Sequence, residues 1–276
     1  MKEQNTDLEP FAKFVKALDP WLGQAVVIGG WAHRLYRLDS RARKLPYLPI
    51  TTLDGDVAVP TKLNAEKSSV RERLLKAGFK EEFVGEDRPP ATHYYYGQEG
   101  GFYVEFLSPL IGSEYGRDGK RKATREVGGV SSQQLRYIEI LMLQPWEIAL
   151  GEQDGYPITP ARKVLVANPT SFLAQKILIH HERAYKDRAK DVLYTHDTIE
   201  LFSEHLDELQ KIYRKILQSK LHRNRSAELH DAADRLFGKV TDIVREAALM
   251  ATGRHLDPEA LAETGRAGLQ EIFTKK

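Results

Sequence analysis

The chain of 276 residues is 41% hydrophobic and 29% charged, and its formal net charge is +2. These values are typical of a soluble globular protein with enough apolar residues for one large domain or two modest ones. The absence of cysteine excludes disulfides and thiolate chemistry. Residues 1–10 are polar and acidic, and no apolar run approaches the ~20 residues of a membrane span. We therefore expect a cytoplasmic protein without a signal peptide or a membrane partner.

The first 165 residues alternate between predicted helices and predicted strands. Apolar residues at helical spacing predict helices at 11–18, 31–38 and 64–77. Short apolar or alternating segments predict strands at 25–28, 53–59, 79–84, 93–96, 102–107, 137–143 and 163–166. This alternation is typical of an α/β fold, so we predict an α/β domain at residues 1–165.

The remainder of the chain is predicted to be helical. From Pro169 to Phe273 apolar residues recur at helical spacing, with breaks near Asn224 and Gly253. No internal repeat is present in either part of the chain. We therefore predict a separate α-helical domain at residues 166–276.

Three carboxylates stand in predicted strands. Side chains alternate across a strand, so Asp54 and Asp56 share one face of strand 53–59, whose other face is apolar. Two carboxylates this close repel each other unless a cation lies between them. Mg²⁺ (or Mn²⁺) binds a few carboxylates together with substrate phosphates, and Glu105 in strand 102–107 supplies a third carboxylate. The pattern indicates a metal site of Asp54, Asp56 and Glu105.

Simpler interpretations of the same residues remain open. Asp54-Gly55 is also typical of a hairpin turn, and Glu105 by itself is typical of the polar face of an edge strand.

A glycine pair upstream favours the functional interpretation. Gly29-Gly30, between a predicted strand and a predicted helix, allows close backbone approach to an anion at the helix N-terminus. A phosphate cradle on one strand and a carboxylate pair on the next together favour phosphoryl or nucleotidyl transfer.

Two segments carry a resemblance to a known family. The sequence VIGGWA at 27–32, followed by TTLDGDVA at 51–58, resembles the signature of the DNA polymerase beta-like nucleotidyltransferase superfamily. It is similar in particular to bacterial nucleotidyltransferase-like proteins near the abortive-infection toxins. Pro169, Lys176, Arg183 and the pair Lys190-Asp191 extend the resemblance, which spans residues from about 25 to 200. The chain departs from the family's pattern at Ile50, where many relatives have arginine, at Gly55, where they usually have an apolar residue, and at Gly30, where many have serine.

The resemblance implies a fold and an activity. The fold is a nucleotidyltransferase-type mixed sheet with flanking helices, followed by an α-helical C-terminal region. The activity is metal-dependent transfer of a nucleoside monophosphate from an NTP to an acceptor hydroxyl. Asp54 and Asp56 would hold the metals, and Glu105 would be the third ligand or the base that activates the acceptor. The residues expected at the triphosphate are Gly29, Gly30 and Thr52.

A charged stripe follows on the helical part of the chain. If residues 170–194 form one continuous helix, six residues fall within an arc of roughly 100°: Lys176, His180, Arg183, Asp187, Lys190 and Asp191. A solvated helix face would show the same pattern. Beside a triphosphate site, we expect Lys176 and Arg183 to face the phosphates and Lys190-Asp191 to brace them. His33 and His93 look isolated, and we predict structural positions for both.

The acceptor is the least determined part of the prediction. Basic clusters at 117–125 and 220–225 suit the phosphate backbone of an RNA, such as a tRNA 3′ end, although solvated loops have the same composition. A protein hydroxyl, as in AMPylation, is the alternative acceptor. A non-catalytic module that binds nucleotide or nucleic acid is the alternative to an enzyme. The toxin-like resemblance also implies an antitoxin partner.

Overall fold

The computed structural model describes residues 7–64, 66–85, 90–97, 101–115, 119 and 123–274. The chain forms two compact units. The first consists of residues 1–32 and 51–167, and the second of residues 33–50 and 168–276. A division into domains at residue 165 stays a prediction.

Within the described residues, the first unit contains a nine-stranded mixed sheet. Its strands are β1 (Val26–Val27), β2 (Asp54–Ala58), β3 (Lys80–Val84), β4 (Ala91–Tyr95), β5 (Tyr103–Pro109), β6 (Thr124–Val127), β7 (Val130–Leu135), β8 (Trp146–Leu150) and β9 (Arg162–Val166). The order is β3-β4-β5-β2-β1-β9-β8, with β7 paired to both β5 and β6. β2 runs parallel to β5, β1 to β9 and β5 to β7, whereas the other pairs are antiparallel.

Helices of the first unit follow the apolar pattern of their sequences. They are α1 (Leu8–Ala17), the start of α2 (Gly29–Leu35), α3 (Val70–Lys76) and α4 (Ile138–Leu141). Phe11 of α1 stacks on Trp31 of α2 with ring centroids 3.8 Å apart, and Phe102 meets both rings edge-on. Burial of such aromatic surface is a large favourable contribution to folding.

The second unit is helical throughout its regular structure. Its helices are α5 (Pro169–Ile179), α6 (Tyr185–Leu201), α7 (Leu206–Ile212), α8 (Arg223–His230), α9 (Ala232–Phe237), α10 (Asp242–Leu249) and α11 (Pro258–Ile272). Asn168 and Asp257 cap α5 and α11 by accepting hydrogen bonds from backbone N–H groups, and a proline follows each cap. None of the helices in the described ranges combines the length and the continuous apolarity that a membrane crossing requires.

The predicted fold class is confirmed: a mixed sheet with helices is followed along the chain by a helical region. Six of the seven segments that the sequence predicts as strands contain strands in the structure. The strand predicted at 137–143 is wrong, because residues 138–141 form α4. A short apolar run does not distinguish a buried helix from a buried strand. β6, β7 and β8 were not predicted.

Two helix predictions need correction. The helix predicted at 64–77 begins only at Val70, because Ser69 accepts a hydrogen bond from Glu72 N–H and the Glu72 carboxylate accepts one from Ser69 N–H. The continuous helix at 170–194 is also wrong. A 3₁₀ turn at His180–Glu182 and extended backbone at Arg183 and Ala184 separate α5 from α6. The break near Asn224 falls just before α8, and the break near Gly253 is present.

Candidate active site

The register of two strands, β2 and β5, brings the predicted carboxylates together. β2 pairs with β5 so that Asp54 lies opposite Tyr103 and Asp56 opposite Glu105. The hairpin-turn interpretation of Asp54-Gly55 is therefore wrong, because both residues lie in a strand. Directly opposite residues of paired strands project from the same face of a sheet, where their side chains interact. Asp54, Asp56 and Glu105 thus share one face.

β4 adds two aromatic residues to this face. It runs antiparallel to β5, with His93 opposite Glu105 and Tyr95 opposite Tyr103. One row of side chains is therefore Asp56, Glu105 and His93, and the next row continues with the two tyrosines. We call the whole group the carboxylate face: Asp54, Asp56, His93, Tyr95, Tyr103 and Glu105.

Gly29 lies against the carboxylate face. Its φ is +62°, a left-handed conformation that favours glycine. A Cβ atom at this position would stand 1.9 Å from Asp56 Oδ2, so any side chain would displace that carboxylate. Ile28 N–H also donates to the Asp56 carbonyl oxygen at 3.0 Å. The glycine pair, of which Gly30 is the next residue of α2, and the Asp-x-Asp strand are therefore brought together.

Thr52 has a different contact from the predicted one. Its side chain is buried, and its hydroxyl donates a hydrogen bond to Asp54 Oδ1. In this arrangement Thr52 orients the first carboxylate. Direct contact of Thr52 with a triphosphate stays a prediction.

Glu105 is paired with a histidine that sequence reasoning treated as isolated. His93 Nε2 lies 3.2 Å from Glu105 Oε2. Burial alone would raise the pKa of Glu105, but hydrogen bonds from His93 and with Asp56 outweigh burial and lower it. The carboxyl group therefore stays ionised at neutral pH. The sequence signal for this pair was weak, since only the β4–β5 register places His93 beside Glu105.

The pKa of the Tyr103 phenol is raised by its surroundings. Burial raises the pKa of its phenol, and the negative charges of Asp54, Glu105 and Asp56 raise it further. The phenol therefore stays protonated and able to donate a hydrogen bond at neutral pH.

The donor set of the carboxylate face fits a hard divalent cation, because three carboxylates supply oxygen ligands. Within the described ranges, however, the group whose ligand atoms all lie within 4.8 Å of one another is His196, Asp197 and Glu200 of α6. Arg254 already forms ion pairs with both of those carboxylates, at 3.7 Å for Glu200. A metal at α6 would have to displace this guanidinium, so that cluster fits a structural ion pair better.

The charged stripe predicted after residue 170 lies in the second unit and is partly buried. Lys176 is only 8% exposed, and its Nζ lies 2.8 Å from Asp191 Oδ1. Arg183 Nε lies 3.4 Å from the other oxygen of Asp191, and Lys190 Nζ lies 5.7 Å from the ring centre of Tyr194. The structure thus joins Lys176, Arg183 and Asp191, although the helix is broken. Their contact with a triphosphate stays a prediction.

A carboxylate face beside a glycine turn on a mixed sheet defines a candidate phosphoryl- or nucleotidyl-transfer site. A nucleotidyltransferase family model matches residues 8–218, which is most of the chain. The chain therefore belongs to this nucleotidyltransferase family, which implies an NTP substrate.

Two further comparisons assign no function to the chain. No curated protein matches the chain. Among solved structures it is similar to an antigenic nucleotidyltransferase-like protein from Paracoccidioides brasiliensis. The two share 16% sequence identity over 71% of this chain and 76% of that chain, with a TM-score of 0.37. No residue role passes to this chain at such similarity.

Replacing Asp191 with Asn should strongly destabilise the second unit. The change leaves Lys176 as an unpaired buried charge, which typically costs about 3–5 kcal/mol. Adding Lys176→Met to the Asp191→Asn variant should restore part of the loss. Chemical denaturation gives the free energies of unfolding. The control is Asp242→Asn, at an exposed pair with Arg245, where we expect a change within about 0.5 kcal/mol. A small effect of Asp191→Asn would contradict the buried ion pair.

Proposed function

We propose that this nucleotidyltransferase moves a nucleoside monophosphate from an NTP to a hydroxyl group of an RNA, such as a tRNA 3′ end, with Mg²⁺ or Mn²⁺ as cofactor. The observation that supports this most is the register that aligns Asp56 with Glu105 and carries Asp54 on the same face. Family membership supports the NTP substrate.

The residues of the carboxylate face have distinct proposed roles. Asp54, Asp56 and Glu105 would hold the divalent metal ions, which would polarise the α-phosphate and neutralise the pyrophosphate leaving group. The acceptor oxygen forms a bond to the α-phosphorus, and the bond to pyrophosphate breaks. Thr52 fixes Asp54, and Gly29 leaves room for Asp56.

We assign to Glu105 the role of third metal ligand, because it lies directly opposite Asp56 in the pairing of β2 with β5 and shares a face of the sheet with both aspartates. The acceptor hydroxyl would release its proton to water as its oxygen bonds to the α-phosphorus.

A basic groove in the first unit supports an RNA acceptor. Helices α1 and α3 border an open cavity of about 470 Å³, to which Lys13, Lys16, Arg73 and Lys76 contribute cations. The acidic residue there, Glu72, is engaged in the cap of α3.

Two of these cations are anchored. Arg73 Nε donates to the Ala17 carbonyl at 2.6 Å, and Lys13 pairs with Glu9 at 3.2 Å. Lys16 and Lys76 have no acidic partner among the residues that the structure describes. Cations without acidic partners bind the negatively charged phosphate backbone of an RNA. A protein hydroxyl carries no such charge, so these cations favour RNA as the acceptor.

The predicted basic clusters add less to this proposal. Most of 117–125 lies outside the described residues. In 220–225, Lys220 and Arg223 are exposed, and Arg225 pairs with Glu228 at 2.8 Å. The groove between α1 and α3 is therefore the basic surface on which we base the acceptor.

The resemblance to abortive-infection toxins adds a cellular role to the proposal. It implies a cytoplasmic enzyme that an antitoxin partner restrains. Expression of the chain alone should slow the growth of a bacterial host, and Asp54→Asn/Asp56→Asn should abolish that effect. Equal growth with both forms would remove the toxin assignment without touching the transferase assignment.

Removing both proposed metal ligands should abolish metal-dependent nucleotide binding. For the parent, ATP with Mg²⁺ at about 100 times Kd should add about 2.7 kcal/mol of stability, which a thermal shift detects. Asp54→Asn/Asp56→Asn should lose the metal-dependent part of that shift and all transfer of labelled NTP to RNA. The charge-matched control Asp234→Asn/Asp242→Asn should behave like the parent. A parent-like shift in the Asp54/Asp56 variant would place the site elsewhere.

Removing the two unpaired cations of the groove should weaken RNA binding. Each phosphate contact on a single strand contributes about 0.7 to the slope of log K against log salt concentration. Lys16→Gln/Lys76→Gln should therefore reduce the slope by about 1.4, as measured by fluorescence anisotropy with a single-stranded RNA. The control Lys186→Gln/Lys239→Gln removes two exposed lysines of the second unit. An unchanged slope would exclude the groove, and labelling of protein rather than RNA would favour the AMPylation alternative.

A further inference from the structure

His93 uses both ring nitrogens and one ring face. Its Nε2 lies 3.2 Å from Glu105 Oε2, and its Nδ1 lies 3.4 Å from the Tyr95 hydroxyl. The ring also stacks on Tyr103, with centroids 4.8 Å apart and planes 21° apart. Three contacts of different kinds thus define the position of one imidazole.

These contacts are consistent with a single tautomer. A neutral imidazole donates from one nitrogen and accepts at the other. The carboxylate can only accept, so Nε2–H donates to Glu105, and Nδ1 then accepts from Tyr95 O–H. The ring therefore needs no positive charge to bind Glu105.

Glu105 needs such support more than a surface glutamate does. Its side chain has three rotatable bonds, each with several preferred angles, and a productive metal ligand must hold one combination of them. His93 contacts it from the strand on the opposite side from Asp56, as the register of the two pairings requires. The N–H donor of His93 on this side orients the carboxylate and leaves the side toward Asp56 open.

We propose that His93 is a positioning residue that holds the Glu105 carboxylate in the orientation used for nucleotidyl transfer. Tyr95 and Tyr103 hold His93 in turn. This inference rests on the proposed function. Partners that orient metal ligands typically contribute 10–100-fold to metal affinity or activity, and we expect an effect of that size from His93.

Two substitutions separate the hydrogen bond from the ring contact. His93→Phe keeps a flat ring that can stack on Tyr103 but removes both nitrogens. His93→Gln removes the ring but keeps an amide N–H that can donate to Glu105. In His93→Phe we expect kcat to fall about 10–100-fold while the KM for NTP stays within about twofold. In His93→Gln we expect kcat within about fivefold of the parent.

Mn²⁺ affinity supplies a second readout that does not depend on turnover. Electron paramagnetic resonance of free Mn²⁺ should show binding to His93→Phe weakened about tenfold or more, and His93→Gln close to the parent. Melting temperatures of all variants check the fold. His255→Phe, at an exposed histidine of the second unit, is the control and should match the parent in every readout.

Each other outcome overturns the inference in a recognisable way. Parent-like kcat and Mn²⁺ affinity in His93→Phe would mean that the hydrogen bond does not matter. Equal losses in both variants, with equal falls in melting temperature, would leave His93 a packing residue. If Glu105→Gln transfers like the parent, Glu105 and His93 both leave the mechanism. A parent that binds no Mn²⁺ would instead show that the proposed function itself fails.

Discussion

Parallel pairing of β2 with β5 is the constraint on which the candidate site depends. The pairing places Asp56 directly opposite Glu105, and like charges in that position destabilise a sheet. The strands can form this register only if something offsets the repulsion. In the first unit the offsets are hydrogen bonds from a hydroxyl and an imidazole: Thr52 to Asp54 and His93 to Glu105. These two hydrogen bonds stabilise the carboxylates of Asp54 and Glu105.

In the second unit, buried acidic residues form ion pairs with basic side chains. Asp191 is paired with Lys176 and Arg183, and Asp197 with Arg254. Removing one partner of such a buried ion pair is costly, because the other charge is left unpaired. At α6 an arginine contacts the closely spaced ligand atoms, whereas among the residues that the structure describes no lysine or arginine forms an ion pair with Asp54 or Glu105.

Sequence reasoning predicted the parts of the site that depend on local order. Alternation along a strand was enough to put Asp54 and Asp56 on one face, and the glycine pair was singled out because glycine before a helix allows close approach of an anion. His93 was missed, since a single histidine in a strand has no local pattern that indicates its partner. The helix at 170–194 and the strand at 137–143 were wrong. Residues 183 and 184 adopt extended backbone that the apolar period does not encode, and a short apolar run fits either type of element.

The sequence by itself determined the class of the fold, the carboxylate pair of β2 and the glycine pair at the start of α2. The patterns behind these predictions, namely apolar spacing, alternation along a strand and two adjacent glycines, each lie within a few residues. Tertiary structure decided which residues stand beside them. Glu105 lies about fifty residues after Asp56 in the chain, and only the strand order brings β5 between β2 and β4. The same order placed His93 on Glu105 and left Gly29 no room for a side chain beside Asp56. Strand register is a property of pairing between distant segments. The residues that contact one another on the carboxylate face can therefore be identified only in the folded sheet.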